Sequence, residues 1–329
     1  MLFKALVVEK IEDEVRVHSR TMQIEDLPEG DLLIKVAYSS LNYKDALACS
    51  ANGNIVKSYP FVPGIDLAGT VVTSGNDQFR EGDEVLVTGY GLGVVHFGGF
   101  SGFARVPAEW ALKLPDNLSV REAMIIGTAG FTAALSILEL QDNGVTIDKG
   151  PILVTGATGG VGSMAVAILA KLGYDVIAST GKAEMSGYLL ELGALRVVMR
   201  NEILKEPIRA LDKQLWAGAI DCVGGKTLAS LLPSIQYGGV VAISGMTGGA
   251  ELATSVFPFI LRGIRLIGID SVQASMSKRI KVWEKLASEY KPLLLGSLAE
   301  EITLEQVVDS VPVLLKGQSR GRILINCQQ

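Results

Sequence analysis

Two kinds of hydrophobic spacing divide the chain. Over the first 110 residues the apolar positions come in short, β-branched runs: LLIKVAYSS (32–40), GTVVTS (69–74), DEVLVTG (83–89) and FARVPA (103–108). Each run is bounded by Gly, Asp, Asn or Pro, which predicts short strands separated by turns. Gly82-Asp83 reads as the tight turn between two of them. The opening MLFKALVVEK alternates like a strand, and its Lys4 and Glu9 exclude the apolar core of a signal peptide. The segment 89–102, GYGLGVVHFGGFSG, holds six glycines and predicts a mobile or closely approached loop.

From Ser119 the spacing turns helical. SVREAMIIGTAGFTAALSILEL opens on a capping box, Ser119 with Glu122 three residues on. From 151 onward apolar strands alternate with helical stretches. The strands read ILVTG (152–156), DVIAST (175–180), RVVM (196–199), GAIDCV (218–223), GVVAISG (239–245) and IRLIGID (264–270). Six apolar strands separated by helices predict a doubly wound parallel sheet covered on both faces. The tail predicts helices over 277–290 and 304–315 and a last strand, GRILIN, over 321–326. The fold class expected is therefore α/β, with a β-rich first region and a six-stranded Rossmann sheet.

Composition narrows the functions. The chain has 329 residues, 48% of them apolar, and a net charge of −5 with no run of lysine or arginine. That length supports two cores, and that charge gives no footprint for nucleic acid. No window of 18 residues is free of both charge and glycine, so no membrane span is expected. The three cysteines, Cys49, Cys222 and Cys327, are too far apart for a disulfide framework or a zinc site. A cytoplasmic location is the expectation.

The chemistry begins at LVTGATGGVGSMAV (153–166). Ala157-x-Gly159-x-x-Gly162 follows a strand and opens a helix, as a dinucleotide-binding turn does. In such a turn the backbone at Thr158, Gly159, Gly160 and Val161 meets a pyrophosphate on the positive end of the helix. Which dinucleotide is written at the end of the second strand. An NAD enzyme places an acid there to accept from the ribose hydroxyls. Here the residues are Ser179, Thr180, Gly181 and Lys182, with no acid before Glu184. Hydroxyls and a cation suit a 2′-phosphate, so NADPH is the expected cofactor. Arg200 after the third strand, Ser244 after the fifth and Asp270 after the sixth are further candidates for lining the cofactor cleft.

The motifs together resemble the medium-chain dehydrogenase/reductases along essentially the whole chain. They are NYKDAL (42–47), PGIDLAGTV (63–71), EGDEV (81–85), GGFSGFA (98–104), GTAGFTAAL (127–135), TGATGGVG (155–162) and YGGVVAISG (237–245). VTGATGGVG, STGK and FILRGIRLIGIDSV are most similar to the zinc-free branch of quinone oxidoreductases and acryloyl-CoA reductases. The resemblance implies a GroES-like catalytic domain over 1–120 plus 271–329 and a Rossmann domain over 121–270. It also implies a homodimer, paired through the edge strand at 264–270.

Zinc-dependent alcohol dehydrogenases of the family carry a cysteine at the position of Asn42, a histidine at that of Ile65 and a further cysteine near Thr128–Ala129. Asp66 alone remains as a ligand type nearby, and one carboxylate is not a zinc site. No metal is expected. Without a Lewis acid to polarise a carbonyl, the natural acceptor is one already activated: a 2-enoyl thioester, an enone or a quinone. In the family NYKD lies at the nicotinamide. Tyr43 is then the candidate for contacting the ring and giving or relaying a proton, with water as the alternative source. Asn42 is the candidate donor to the acceptor oxygen, and Asp45 orients its neighbours. Arg262, Arg265, Lys278 and Arg279 are candidate partners for CoA phosphates, or simply solvated cations. The leading reading is an NADPH-dependent reductase of an acryloyl-CoA-type thioester. The rivals are an NADPH:quinone oxidoreductase and an NADPH-binding protein without turnover.

Overall fold

The computed structural model describes residues 1–12, 14–51 and 53–329. Its first stretch holds strands β1 (Leu2–Ile11), β2 (Glu14–Gln23), β3 (Leu32–Leu41), β4 (Asp66–Ser74), β5 (Glu84–Thr88), β6 (Phe103–Val106) and β7 (Ala111–Lys113). Helix α1 (Tyr43–Ala48) lies between β3 and β4, and α2 (Val120–Asp142) follows β7. The strands β8 (Ile152–Val154), β9 (Val176–Thr180), β10 (Arg196–Met199), β11 (Trp216–Asp221), β12 (Ile235–Ile243) and β13 (Arg265–Gly268) come next. Between them lie α3 (Gly160–Lys171), α4 (Ser186–Glu191), α5 (Arg200–Ile203), α6 (Gly225–Leu231) and α7 (Phe257–Arg262). The chain ends with α8 (Met276–Leu286), β14 (Ala299–Thr303), α9 (Val307–Leu315) and β15 (Arg322–Asn326).

Two compact units result, one of Met1–Thr128, Val272–Ala287 and Leu295–Gln329, the other of Ala129–Ser271 and Ser288–Leu294. The first is built on a seven-stranded sheet of order β14-β15-β3-β4-β5-β7, in which β6 also pairs β3. β3 is the hub. It runs antiparallel to β4, while β6 and β15 pair with its two halves, β6 over 32–35 and β15 over 38–41. Leu32, Ile34 and Val36 enter a core with Leu6, Leu67, Val85, Val87 and Phe100, while Leu33 between them packs into a second core with Phe3, Val7 and Phe103, the period-2 alternation of a strand buried on both faces here. β1 and β2 form a separate antiparallel hairpin.

The glycine-rich segment 89–102 is the closely approached kind of loop. Gly98, Gly99 and Phe100 donate their amides to Val62, Gly64 and Pro63 at 2.7–3.0 Å. Tyr90 stacks on Trp110 at 5.9 Å, and His96 packs its edge on the same indole at 5.4 Å. His96 also bonds the Arg105 carbonyl at 2.7 Å, so it is a packing residue.

The second unit carries a six-stranded sheet of order β10-β9-β8-β11-β12-β13, and every pairing in it is parallel. Counted along the chain this is strand order 3-2-1-4-5-6, the doubly wound arrangement that binds dinucleotides where the order reverses. β8, β11 and most of β12 are fully buried, as expected of strands covered on both faces. β12 begins at Ile235, four residues before the apolar run that announces it, because Ile235 pairs with Trp216 across an irregular register.

Among the described residues helix α2 is the one helix long and apolar enough to cross a membrane, and 89% of its most apolar window is buried inside the protein. Its Ser119–Glu122 capping box is present: Ser119 donates its amide to Glu122 at 3.0 Å, and Glu122 returns its own to Ser119 Oγ at 3.2 Å. The helix is interrupted at Gly127, whose φ of 50° and ψ of −160° only glycine adopts readily.

Candidate active site

In the first unit the NYKD motif opens α1. Asn42 is the N-cap and Tyr43 the first helical residue. Asp45 is completely buried; its Oδ2 accepts from the Asn42 amide and its Oδ1 from the Ile65 amide, both at 2.8 Å. Burial, reinforced by the charge of Asp66, pushes the Asp45 carboxyl up to about 7. One carboxylate thus ties the start of α1 to the residues leading into β4.

Around Asn42 lies a buried cluster of charges. Asp66, at the start of β4, accepts from Ser40 Oγ at 2.6 Å, from Asn42 Nδ2 at 2.8 Å and from Thr128 through both its amide and its hydroxyl. The cation is Arg322, at the start of β15 and only 2% exposed. Its Nη2 lies 3.7 Å from Asp66 Oδ2 and donates to Ser40 Oγ at 2.8 Å; its Nη1 donates to Asn42 Oδ1 at 3.1 Å and its Nε to the Ile125 carbonyl at 3.0 Å. Its planar fork reaches three acceptors from three different nitrogens, a spread that the single nitrogen of an ammonium does not reproduce. The loss of water holds this guanidinium below its ordinary value, and the two carboxylates oppose that shift.

Gly127 makes the cluster fit. A Cβ there would come within 2.6 Å of Asp66, 2.7 Å of Arg322 and 2.7 Å of Ser40. The break that glycine permits turns the Ile125 carbonyl toward the guanidinium and the Thr128 amide toward the carboxylate. Where the resemblance implies the ligands of zinc-dependent relatives stand Asn42, Ile65 and, near the third position, Thr128–Ala129, with Arg322 and Asp66 paired beside Asn42. Among the described residues no group of three or more His, Cys, Asp or Glu is placed to hold a metal ion.

This packing changes the role of Asn42. Its side chain is buried, and its amide hydrogens go to Asp66 at 2.8 Å and to the Ser40 carbonyl at 3.2 Å. Both donors are spent inside the protein, so the expected donation to a substrate oxygen gives way to a scaffolding role. Tyr43 is the opposite case: it is 44% exposed, and its hydroxyl makes no hydrogen bond among the described residues. Cys49 is buried one turn on, its thiol pushed up to about 12 by burial and by Asp45, which fits a packing residue.

In the second unit the glycine turn joins β8 to α3. Gly159 is the N-cap and offers no side chain to cap the amides of Gly160, Val161 and Gly162. These donors sit at the positive end of a twelve-residue helix. Gly162 packs the helix on the turn so closely that a Cβ would lie 2.3 Å from the Gly156 carbonyl oxygen. Thr158 lies in this turn and is buried; the Ala157 amide beside it donates to the Ser179 carbonyl at 3.0 Å, which links the turn to the end of β9.

At that end Ser179 and Thr180 are buried and Thr180 Oγ1 accepts from the Lys182 amide at 3.0 Å. The guanidinium of Arg200, from the start of α5, lies against Gly181, where a Cβ would meet it at 3.0 Å. Lys182 is held below its ordinary value by partial burial; Arg200 adds to that shift and Glu184 opposes it. Two cations therefore flank Gly181, as a 2′-phosphate would require. Ser244 follows β12 and donates its amide to the Asp221 carbonyl at 3.0 Å; Asp270 is exposed, two residues beyond β13.

Sequence reasoning missed Arg322, Ser40 and Thr128 in the first unit and Asp221 in the second. Asp221 is fully buried and accepts from Thr155 Oγ1 at 2.6 Å and from the Gly224 amide at 2.7 Å, tying the ends of β8 and β11 together. Its one signal was an acid inside the apolar run GAIDCV. Two of the four proposed CoA-phosphate partners are consumed internally. Arg262 donates to the carbonyls of Pro233, Ile235 and Asp212 at 2.5–3.0 Å. Arg279 donates to Thr88, Val272 and Ala274 and lies 4.3 Å from the centre of the Tyr90 ring.

Comparison with known proteins agrees with this geometry. Residues 28–116 match the alcohol dehydrogenase GroES-like domain, and 160–288 match the zinc-binding dehydrogenase domain. YhfP of Bacillus subtilis, which bears a provisional quinone oxidoreductase name, is 54% identical over 325 residues, 98% of each chain. The acrylyl-CoA reductase AcuI of Ruegeria pomeroyi is 45% identical over 327 residues, 99% of each chain. The YhdH oxidoreductase of Salmonella enterica, crystallised with NADP, superposes with a TM-score of 0.96 at 46% identity, over 98% of this chain and 99% of that one. YhfP crystallised with NAD superposes with a TM-score of 0.97 at 53% identity, over 99% of each chain. The chain belongs to the medium-chain dehydrogenase/reductase family of oxidoreductases, in the zinc-free branch that includes YhfP and AcuI.

Proposed function

We propose that the protein is a cytoplasmic, zinc-independent reductase that uses NADPH to deliver hydride to an activated carbon–carbon double bond, with an acryloyl-CoA-type 2-enoyl thioester as its substrate. Similarity to AcuI along nearly the whole chain supports the thioester. The uncapped amides of Gly160, Val161 and Gly162 fit a pyrophosphate, and Ser179, Thr180, Lys182 and Arg200, with no acid between Ser179 and Glu184, fit a 2′-phosphate. When bound, NADPH supplies the hydride. YhfP with NAD makes cofactor choice a point for direct measurement, and comparable efficiency with NADH would remove this part of the reading.

The observation that carries the proposal is Tyr43. Within NYKD, Asn42 and Asp45 are buried and saturated with hydrogen bonds, so Tyr43 alone of these three presents an open polar atom. The phenol gives or relays the proton that balances hydride addition at the neighbouring carbon. The test is NADPH oxidation with acryloyl-CoA and with 1,4-benzoquinone, by wild type and Tyr43→Phe. The thioester is expected to be the better acceptor, and loss of the phenol to lower its turnover by about 10²-fold. A quinone rate well above the thioester rate would favour the second reading, an NADPH:quinone oxidoreductase, which the name of YhfP supports. NADPH binding with no turnover on either acceptor would leave a binding protein.

The reading includes a homodimer. β13 is an edge strand of the second unit's sheet, and α7, which leads into it, exposes Phe257, Ile260 and Leu261. An apolar edge of this kind pairs readily with a second copy about a two-fold axis. Light scattering at micromolar concentration should give the mass of two chains; the mass of one would remove the dimer from the proposal.

A further inference from the structure

A side chain with no partner of its own is placed only as well as its backbone. Tyr43 is such a side chain, and the backbone that carries it is fixed by its neighbours on both sides. On one side the Asn42 amide nitrogen donates to Asp45 Oδ2, while Asp45 Oδ1 takes the Ile65 amide. On the other the Asn42 carboxamide is gripped at both ends, its Nδ2 by Asp66 at 2.8 Å and its Oδ1 by Arg322 at 3.1 Å. The guanidinium that holds Oδ1 is itself fixed by the Ile125 carbonyl and Ser40 Oγ. Reversing the amide would set two donors, Nδ2 and Arg322 Nη1, against each other and leave Oδ1 facing a carboxylate. The ion pair therefore permits one orientation of Asn42.

From this geometry we infer that Arg322 is a positioning residue for Tyr43: through Asn42 it fixes the turn from which the phenol meets the substrate. The inference rests on the role proposed above for Tyr43. It assigns to the Asp66–Arg322 pair the task of a rigid anchor beside the reacting centre, in the region where zinc-dependent relatives hold their metal. Lysine at 322 would keep the charge but not the fork, and so would not serve Ile125, Ser40 and Asn42 together.

The experiment is a double-mutant cycle of Arg322→Lys and Tyr43→Phe in the full-length protein. It is read by steady-state kinetics with NADPH and acryloyl-CoA, NADPH fluorescence titration, thermal unfolding and amide hydrogen exchange over 40–50. Arg322→Lys should bind NADPH with wild-type affinity while kcat falls about 10-fold or more, because a displaced general acid loses its alignment. Tyr43→Phe should then cost much less in the lysine background than in wild type, and exchange over 42–49 should quicken about 10-fold as local opening becomes easier. Multiplicative rate effects would mean that Arg322 acts on stability alone and would overturn the inference. If Tyr43→Phe alone leaves kcat unchanged, the proposed role of the phenol fails. The positioning claim is then decided by exchange, and unaltered exchange over 42–49 overturns it. Should Arg322→Lys not fold, Asn42→Ser, which leaves Arg322, Asp66 and Ser40 in place, takes its position in the cycle with the same expectations.

Discussion

The two polar regions of this protein differ in what their hydrogen bonds are for. Around Asn42 every buried carboxylate, guanidinium and carboxamide has a partner inside the protein. At the start of α3 the helix amides have no side-chain cap. A saturated region is rigid and has nothing left with which to bind; an unsaturated one is a standing invitation to an anion. The contrast teaches that the cluster around Asn42 serves as scaffold, while the glycine turn leaves its helix amides open to a ligand.

The sharpest way to break the contrast is to unbalance the closed region. Arg322→Met would leave Asp66 buried without its cation, and chemical denaturation should show a loss of about 3–5 kcal/mol. Adding Asp66→Asn should recover part of that loss. A change within about 0.5 kcal/mol, the size expected of a surface substitution, would show that the pair carries no structural weight.

A charge reversal in the open region should leave the fold alone. Lys182→Glu is expected to reduce the preference for NADPH over NADH by about 1.5–3 kcal/mol in kcat/KM, the worth of a hydrogen bond to a charged group. Its unfolding midpoint should stay near wild type. An unaltered cofactor preference would move the 2′-phosphate contact elsewhere.

A smaller effect follows from Asp45. Its folded-state pKa of about 7 lies above the ordinary 3.8, so between those values the folded chain holds a proton that the unfolded chain has released. The contribution of this group is present in full below about 4 and is lost as pH rises toward 7. Asp221 is raised by burial with the same sign, whereas Asp83, Asp148 and Glu305 are lowered and act oppositely. Stability measured at stepped pH should therefore fall less steeply from pH 4 to 7 in Asp45→Asn than in wild type. Identical slopes would place the proton elsewhere. The smallest expected effect is none at all: exhaustive chelation should leave activity unchanged, since Asn42 and Ile65 offer no zinc ligands.

What the sequence disclosed and what it hid divide along the same line. The six strands, the Ser119–Glu122 capping box and the glycine turn are written in residues a few positions apart, and local periodicity and capping chemistry suffice to read them. The cluster is written across the chain, with Asn42 and Arg322 280 positions apart. Nothing near RGRILIN distinguishes an arginine that will be buried from one that will be solvated. The same ambiguity made Arg262 and Arg279 look like phosphate partners. GTAG in an apolar helical stretch likewise reads as a continuous helix, because the need for a break at Gly127 comes from Asp66 and Arg322 and not from its neighbours.

That separation sets an order of events during synthesis. β3 emerges early, but the strand that completes its edge and carries the guanidinium, β15, is translated only after the whole of the six-stranded sheet. The second unit draws its strands from one continuous stretch and is free to fold as it leaves the ribosome. The first must hold Asp45 and Asp66 without their cation until then, and contacts so distant along the chain are slow to close. The last part of the protein to become native is then the anchor beside Tyr43, so a chain stalled before β15 would carry a finished glycine turn at the start of α3 and an unfinished start of α1.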